Sequence, residues 1–500
     1  MCGPEAWEAL TSLVDKSLVV AVPQPEGPTR YRMLETIRAY AGEKLDAAGE
    51  RQAAEAAHAA FVLDLVEEAE PHIRRREQLR WLARLRAEAD EIDLALRRTT
   101  TSDVAVAYRI VVAVTWSWLI RGRLEEGKRW LTALPPPNDD VDPHVRALAL
   151  AYQAMAAVGS GDVASGRVRA EAAIAALATL PKPWHPALEL VEPITVAFAE
   201  QDEGPLRKLA ETTDDPWIRA IALQTRAVRA ENDGDLAGQR ELLRATHTAF
   251  AALGERFGLG MVLYSLGELE NLAGEHDAAA AAFDEAIALT VELGNDDDLH
   301  QFIAGRAMVD ARRGDYAAAR AQLARAVAPR RPDGSIAAAR SQVERMAGDL
   351  GAARAYLAVV DAVLAGDPAM FGIPQRQAYL AMLRAQVELA AGDPAKARVL
   401  LQPAAEPAIT SRDGPVLGMV AEVAAQLAHA EGDDTAAVEL LATALVRRGT
   451  LDHGSPEVVA LLAALGPHAE DRIAAAAAPR AGAATLTAFL LADPPIGEED

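Results

Sequence analysis

The sequence predicts an all-α solenoid, in which helical hairpins stack into a superhelix, preceded by a partial winged helix with one short β-hairpin. Glycine recurs near the loop of a helical hairpin at intervals of 30 to 44 residues. Of the last seven of these glycines, five are followed by Asp and one by Glu. A self-similar period of this length is typical of stacked helix pairs. The nine glycines are Gly122, Gly161, Gly204, Gly234, Gly274, Gly314, Gly348, Gly392 and Gly432.

The composition suits closely packed helices and narrows the functional classes. Hydrophobic residues make up 51% of the chain and aromatic residues only 5%, and the abundant alanine has the highest helix propensity. The formal net charge is −23, whereas a nucleic-acid surface is normally basic. The charge therefore disfavours direct contact with nucleic acid or an anionic membrane, and it favours solubility or a basic partner.

Cysteine usage and the apolar segments favour a cytoplasmic location. Cys2 is the single cysteine, so neither an internal disulfide nor a cysteine metal cluster is expected. The N-terminus shows no secretory signal pattern. The most apolar stretch, residues 108–120, is too short to span a bilayer, and a buried helix is predicted there.

The elements at the N-terminus differ from those of the repeats. A helix, two strands around a turn-rich segment and a second helix are predicted, which together make the latter part of a winged helix. Because no earlier helices precede them, we expect the chain to begin inside a domain. The segments are 7–14 (helix), 17–22 (strand), 23–29 (turn), 30–34 (strand) and 35–45 (helix).

The remaining chain divides into three further regions. Apolar stripes at helical spacing predict a helical linker, and the glycine-punctuated hairpins predict a tetratricopeptide-like repeat array. An Ala-rich helix and a disordered acidic tail are expected at the C-terminus. The predicted domains are 1–48 (partial winged helix), 49–102 (linker), 103–470 (repeats) and 471–500 (C-terminal helix and tail).

The second helix of the repeats alternates small, large and small residues, which lets each hairpin pack against its neighbour. This pattern resembles the tetratricopeptide repeat, most closely at residues 263–292, although other units are longer than 34 residues. The small residues are Ala279, Ala319, Ala353, Ala397 and Ala437; the large ones are Phe283, Leu323, Leu357, Leu401 and Leu441; the second small ones are Ala286, Ala326, Val360, Ala404 and Ala444.

Three further segments, in this order, resemble the C-terminal half of bacterial STAND-type NTPase transcriptional regulators of the LuxR-like and antibiotic-regulator class. They are LTSLVDKSLVVAV…RYRMLETIRAYAGEKL, HAAFVLDLVEEAEPHIRRREQLRWLARLRAEADEIDLALR and WSWLIRGRLEEGKRWLTAL. The resemblance is strongest over residues 10–135. It implies an NTPase domain ahead of the winged helix, a DNA-binding domain at one end, and a repeat array that acts as a sensor.

The resemblance also implies a nucleotide contact, which this chain departs from. Related NTPases present a Met-His-Asp triplet whose histidine approaches bound ADP, and the matching positions here are Met33, Leu34 and Glu35. Leu34 has no side-chain donor for a phosphate, and the sequence contains no phosphate-binding loop. We therefore expect no cofactor in this chain, and an NTPase domain as a partner if the chain is a fragment.

No local pattern predicts catalysis or a metal site, so an enzyme is not expected. Residues 122–129 approach the spacing of a phosphate-binding loop, but Arg129 replaces the Ser/Thr that binds Mg²⁺, and a helical-hairpin turn is favoured. The acidic stretches 139–142 and 296–298 lack the spacing of a calcium loop, and helix capping by Asp explains them better. Three histidines, His185, His276 and His300, are expected in loops or at helix ends, where histidine is ordinarily solvated.

Two sets of residues are candidates for interaction. A basic cluster could dock on an acidic face of an NTPase domain or of the chain's own repeats, although a solvated face is the commoner explanation: Arg74, Arg75, Arg76, Arg80 and Arg84. First-helix residues would line the concave groove, where polar and aromatic groups could hold a protein or a small effector, although any single one is more often plain surface: Gln224, Tyr264, Glu268, Asn271, Met308, Tyr379, Gln386, Glu422 and Gln426.

The leading hypothesis is that this chain is the sensor portion of a cytoplasmic signal-transducing transcriptional regulator. It would bind a partner or effector on the groove and relay the binding event to an NTPase domain that is absent from this chain. The alternative is a stand-alone tetratricopeptide scaffold unrelated to transcription. A weaker hypothesis is direct DNA contact through Arg30 and Arg32, which Asp15, Glu26 and Glu35 surround. An oligomer is compatible with each hypothesis.

Overall fold

A computed structural model of the chain consists largely of helices. Within the described residues the strands form one two-stranded sheet, so the predicted all-α class with one short hairpin is confirmed. Most of the predicted turn between the strands, the predicted disordered end of the tail, and Cys2 lie outside those residues. The structure describes residues 4–23, 29–326, 334–366, 373–477 and 483–491.

The N-terminal part runs helix, hairpin, helix, in the predicted order. The two strands pair antiparallel with Val19 opposite Met33, and Val19 is buried. The Trp7 ring meets the Tyr31 ring edge-on at 6.5 Å, which ties the first helix to the hairpin. These elements are α1 (Pro4–Asp15), β1 (Val19–Val22), β2 (Arg30–Met33) and α2 (Glu35–Ala47).

A three-helix linker follows, and it packs against the first helix of the repeats. That helix carries the apolar stretch for which a buried helix is predicted, and eleven of its 17 residues are buried. Val62, Leu96 and Ile110 belong to one shared core. The linker helices are α3 (Arg51–His72), α4 (Gln78–Ala87) and α5 (Ala89–Ser102), and the first repeat helix is α6 (Val104–Ile120).

The repeats form nine helical hairpins within the described residues. Pro403 and Pro407 lie where the second helix of the eighth hairpin breaks into short pieces, because proline interrupts helical hydrogen bonding. The remaining helices are α7 (Leu124–Ala133), α8 (Pro143–Gly159), α9 (Val163–Leu177), α10 (Pro186–Ala199), α11 (Gly204–Thr212), α12 (Pro216–Asn232), α13 (Leu236–Leu253), α14 (Arg256–Leu272), α15 (His276–Leu293), α16 (Asp296–Arg312), α17 (Tyr316–Ala324), α18 (Gly334–Met346), α19 (Leu350–Ala365), α20 (Pro374–Ala390), α21 (Pro394–Leu401), the 3₁₀ turn Gln402–Ala404, α22 (Ala405–Thr410), α23 (Gly414–Ala430), α24 (Asp434–Arg448), α25 (Pro456–Leu465), α26 (Ala469–Ala476) and α27 (Ala483–Leu491).

The periodic glycines and the small–large–small pattern both have their predicted structural roles. Eight of the nine glycines have positive φ in a hairpin turn, as Gly274 does at φ +81°, whereas Gly204 begins α11. The first small residues, such as Ala279, and the large ones, such as Phe283, are buried in every matching unit. Residues 122–129 form a hairpin turn between α6 and α7 and the start of α7.

Helix capping and one histidine depart from prediction in detail. Asp142 caps α8 as expected, accepting from the backbone of His144 at 2.7 Å. At α16 the cap is Asn295, and residues 296–298 make the first turn. His300 is buried inside that helix, so the expectation of a solvated histidine is wrong there, because the residue faces the core side of α16.

The last six hairpins close into a ring of one superhelical turn. The segment after α24 returns to the hairpin turns of α12/α13 and α14/α15, where the Gly454 amide donates to the Leu272 carbonyl at 3.2 Å. A Cβ at Gly449 would lie 2.0 Å from the Gly234 oxygen, so only glycine permits this close backbone approach. We call residues 447–457 the closure segment.

Candidate functional site

The inner face of this ring brings together side chains from hairpins on opposite sides. Tyr264 and Glu268 lie one turn apart on α14, and Tyr379 lies on α20, three hairpins further along. Burial and, next to it, the negative charge of Glu268 raise the pKa of both tyrosine hydroxyls. The three groups therefore lie near one another. Tyr379 keeps 39% of its surface exposed, and Glu268 is also open to solvent, although protein surrounds both. They therefore face the interior of the ring.

The carboxyl group of Glu268 has an unusual pKa for a group that is open to solvent. Desolvation by the surrounding protein raises the pKa of Glu268 to about 7, and the nearby Glu231 and Asp452 carboxylates add to this rise while Arg312 opposes it. Burial likewise raises the pKa of Glu231, with a further contribution from Asp413. The inner face therefore holds one carboxyl group, Glu268, that picks up a proton near neutral pH, and a second, Glu231, whose pKa is raised.

Replacing Glu268 by glutamine is expected to change how stability depends on pH. Because the folded-state pKa is about 7 and the ordinary value is 4.5, the folded protein retains a proton that the unfolded chain releases between these values. The free energy of unfolding should therefore fall as pH rises from 4.5 to 7. Glu268→Gln removes this loss and should be the more stable protein at pH 8, on the order of 1 kcal/mol after allowing for solvent screening.

Urea unfolding of both proteins at pH 4, 6 and 8 measures the effect. The difference should shrink towards pH 4, where the carboxyl group is protonated in both states. Glu285→Gln, on the exposed face of α15, is the matched control and should show no such trend. A difference that stays constant with pH would contradict the assignment.

The other predicted groove residues do not all line the interior. Gln224, Met308, Gln386 and Gln426 are half-buried on first helices. Asn271 and Glu422, by contrast, are buried, and placing them in an open groove is wrong. Glu422 accepts from Arg448 and from the Asp452 amide at 2.8 Å, because the closure segment covers this part of the ring.

Sequence reasoning missed the ion pair that holds the closure segment. Arg312, the last residue of α16, donates to both carboxylate oxygens of Asp452 at 3.0 and 2.7 Å and to the Asn271 carbonyl at 3.1 Å. Asp452 keeps the arginine charged by raising its pKa above an already high value, against the opposing desolvation. The partners are 140 residues apart, so no local pattern could have indicated them.

Linker helix α4 lies across the opposite edge of the same hairpins. The N-cap residues of α12, α14 and α16 are Asp215, Glu255 and Asn295. Successive N-caps are 40 residues apart in the chain. Gln78 donates to Glu255 and accepts from the Arg256 amide at 2.9 Å. This regular spacing of capping residues is the sequence signal that could have indicated a shared contact.

Further contacts extend this docking to both ends of α4. Arg75, just before α4, reaches Asp215 at 3.1 Å, and Arg86 donates to the Leu293 carbonyl at 3.4 Å. The third capping residue, Asn295, donates instead to the Ile120 carbonyl at the end of α6, at 3.1 Å. Burial raises the pKa of Glu255, which the Gln78 amide and backbone amides partly offset. Buried and half-buried polar contacts therefore join the linker to two consecutive hairpins, α12/α13 and α14/α15.

The winged helix is joined to the far end of the same linker helix. Arg30, on β2, donates to Glu88 at 2.6 Å directly after α4. The winged-helix triplet follows in the chain, and its three residues Met33, Leu34 and Glu35 are exposed. The guanidinium of Arg30 therefore contacts the linker.

The basic cluster does not form one surface. Arg74 is buried and stacks over Trp217 at 5.0 Å, and Arg75 pairs with Asp215 as described. Arg76, Arg80 and Arg84 are exposed. The structure thus brings the first two arginines against the chain's own repeats and leaves the other three at the surface.

Parts of this chain are similar to known proteins. Residues 4–46 match the family model of the winged helix-turn-helix domain. The chain is 29% identical over 276 residues to proteins named "putative HTH-type transcriptional regulator" in Mycobacterium bovis and Mycobacterium tuberculosis. The predicted resemblance to transcriptional regulators with a winged helix is confirmed by these two matches. The match covers 50% of this chain and 30% of the length of these relatives.

The chain was also compared with solved structures, and one partly similar structure is that of another protein. It is a signal transduction ATPase with numerous domains and a tetratricopeptide repeat sensor, from Pyrococcus horikoshii. The TM-score is 0.40 with 14% identity, covering 71% of this chain and 59% of the other. A TM-score this low does not establish a common fold.

Two kinds of feature are absent from the described residues, a metal site and a membrane-spanning helix. No three histidine, cysteine or carboxylate side chains in these ranges are placed to hold a metal ion. Among the helices described, none combines the length and hydropathy needed to cross a membrane.

Proposed function

We propose that this chain is the sensor and relay portion of a transcriptional regulator. The inner face of the repeat ring would bind a protein or small effector, and α4 would pass the resulting change to the winged helix and to an NTPase domain of the regulator. The observation that carries the proposal is the position of α4. Its Gln78 contacts the start of α14, its Arg86 contacts the end of α15, and the helix ends beside the Arg30–Glu88 pair.

The physical requirement for such a relay is a difference in affinity between two states. A ligand shifts an equilibrium only by its differential affinity for the two conformations. The repeats that contact α4 at one edge also contact the closure segment at their other edge. A small change in the curvature of these hairpins would therefore alter both sets of contacts together.

Gln78→Ala is expected to loosen the linker and, through it, the winged helix. The substitution removes three hydrogen bonds, those that Gln78 donates to the Ile73 carbonyl and to Glu255 and the one that it accepts from the Arg256 amide. The buried Glu255 carboxylate is left with its backbone amide donors only. Loss of about 1.4 kcal/mol or more from such a bond corresponds to at least tenfold faster exchange of protected amides. Hydrogen exchange followed by mass spectrometry should show this in residues 78–87 and, to a smaller extent, in residues 30–47.

Gln52→Ala is the matched control, because Gln52 is exposed on α3 and should leave both segments unchanged. Faster exchange confined to α4, with the winged helix unaffected, would overturn the relay. Unchanged exchange in α4 itself would remove the contact on which the proposal depends.

A further inference from the structure

The positive charges around the ring interior are already engaged. Arg312 is paired with Asp452, and Arg345 is paired with Glu457 at 2.7 Å. Each of these arginines therefore has a carboxylate partner in the closure segment.

Glu268 has no such partner among the described residues. No cation there lies within ion-pair distance of its carboxylate, which feels Arg312 only at longer range. Glu231 contributes further negative charge to the same region. The interior therefore holds an excess of negative charge that the surrounding side chains do not neutralise.

Aromatic rings flank this carboxylate. The Tyr264 ring stacks on Phe302 with centroids 5.0 Å apart and meets Phe283 edge-on at 5.7 Å, so its position is held by the core. Gln301 hydrogen-bonds to the Tyr264 hydroxyl. Tyr379 stands on the facing helix with 39% of its surface exposed. Aromatic faces attract cations through their quadrupole.

An unpaired acceptor lies on the same helix as Tyr379. Gln386 follows Tyr379 by seven residues, which places both on one face of α20. Its side-chain oxygen is buried and has no hydrogen-bond donor among the described residues. The face of α20 that carries Tyr379 therefore also carries an acceptor without a donor.

We propose that the ring interior between Tyr264, Glu268 and Tyr379 binds an organic cation, namely a guanidinium or ammonium group. The proposal rests on the proposed function, in which this face is the sensor surface, and it names the chemistry of the ligand. The cation is carried either by a small molecule or by a basic side chain of a protein partner. The carboxylate pairs with the charge, the tyrosine rings flank the carbon chain, and acceptors take up the N–H groups.

The same geometry disfavours other ligand classes. An anion would meet Glu268, Glu231 and Asp452 without a free cation to receive it, and like charges brought together oppose binding. A metal ion would need several ligating side chains converging on one point, which the described residues do not provide.

Isothermal titration of the whole chain at pH 8 tests the proposal, with n-butylguanidinium as the small probe and its neutral isostere n-butylurea as the control. In a second arm, a short arginine peptide is compared with the same peptide carrying citrulline. We expect at least one cationic probe to bind and its neutral isostere to bind at least tenfold more weakly. Preference for the peptide indicates a protein partner, and preference for the small probe indicates a free effector.

Variants assign the binding to this surface. Glu268→Gln should weaken binding of the cation about tenfold or more, whereas Glu285→Gln on the outer face should bind as the native protein does. Tyr379→Phe should retain binding and Tyr379→Ala should lose several-fold, because the ring and not the hydroxyl provides the contact. Circular dichroism checks that each variant is folded.

Absence of binding by both cations up to about 10 mM, or equal binding to the Glu268→Gln variant, would overturn the proposal. Neither result bears on the exchange experiment with Gln78→Ala, which needs no ligand. Failure of the cation site is therefore distinguishable from failure of the relay.

Discussion

Arg312→Ala is expected to destabilise the ring by about 3 kcal/mol, because it leaves the Asp452 carboxylate without its partner. The side chains of Arg312 and Asp452 are only 18% and 10% exposed. Removing one member of such a pair costs more than the pair contributes, since the remaining charge stays desolvated. The Asn271 carbonyl loses a donor as well. Urea unfolding should show the loss of stability, and hydrogen exchange should become faster in residues 447–457.

The neighbouring residue provides a matched control. Arg313 pairs with Asp277, whose side chain is fully exposed, so Arg313→Ala should leave the unfolding curve unchanged within error. If the two variants behaved alike, the closure segment would not depend on the buried ion pair. The effect on residues 447–457 separates opening of the ring from general destabilisation.

Phe283→Ala should destabilise the repeats strongly, with a loss of about 3–5 kcal/mol in the free energy of unfolding. Phe283 is completely buried, and its ring occupies the space next to two glycines, Gly267 and Gly305. A Cβ on these glycines would lie 2.9 and 2.6 Å from the ring. The backbones of α14 and α16 cannot move into the cavity left by the side chain without disturbing the ring of hairpins. The cavity would therefore remain.

Thermal and urea unfolding monitored by circular dichroism measures this loss. Phe61→Ala provides the comparison, because Phe61 is 37% exposed on α3 and its truncation should cost much less. A small effect at Phe283 would mean that the two glycines do not form a rigid socket. The substitution Phe283→Ala also removes the edge-on ring contact that helps to hold Tyr264 in place.

The fold class could be predicted from sequence because its determinants are local and repeated. Gly274 turns a hairpin, Ala279 permits close approach, and Phe283 fills the space between helices. Each of these acts within one hairpin and recurs at a regular spacing, so the pattern is visible without knowledge of distant contacts. The position of Tyr264 and Glu268 on a first helix follows from the same counting.

The candidate site could be predicted only in part. Helical spacing assigns residues to the first helices, but it does not tell which of them the closure segment covers. Asn271 and Glu422 share the pattern of Glu268, and yet they are buried. The difference arises because the superhelix completes one turn and its end returns to the second hairpin of the ring, a consequence of curvature accumulated over many repeats.

The sequence by itself therefore determined the helical hairpins, their turns, the buried face of each second helix, and the order of winged helix, linker and repeats. Only the tertiary structure decided that α4 docks on the hairpins α12/α13 and α14/α15, that Arg312 meets Asp452, and that Glu268 remains without a cation partner among the described residues. Periodicity reports contacts between neighbours in the chain. Ring closure and linker docking depend on small angles summed over several hairpins, and no local pattern of residues encodes that sum.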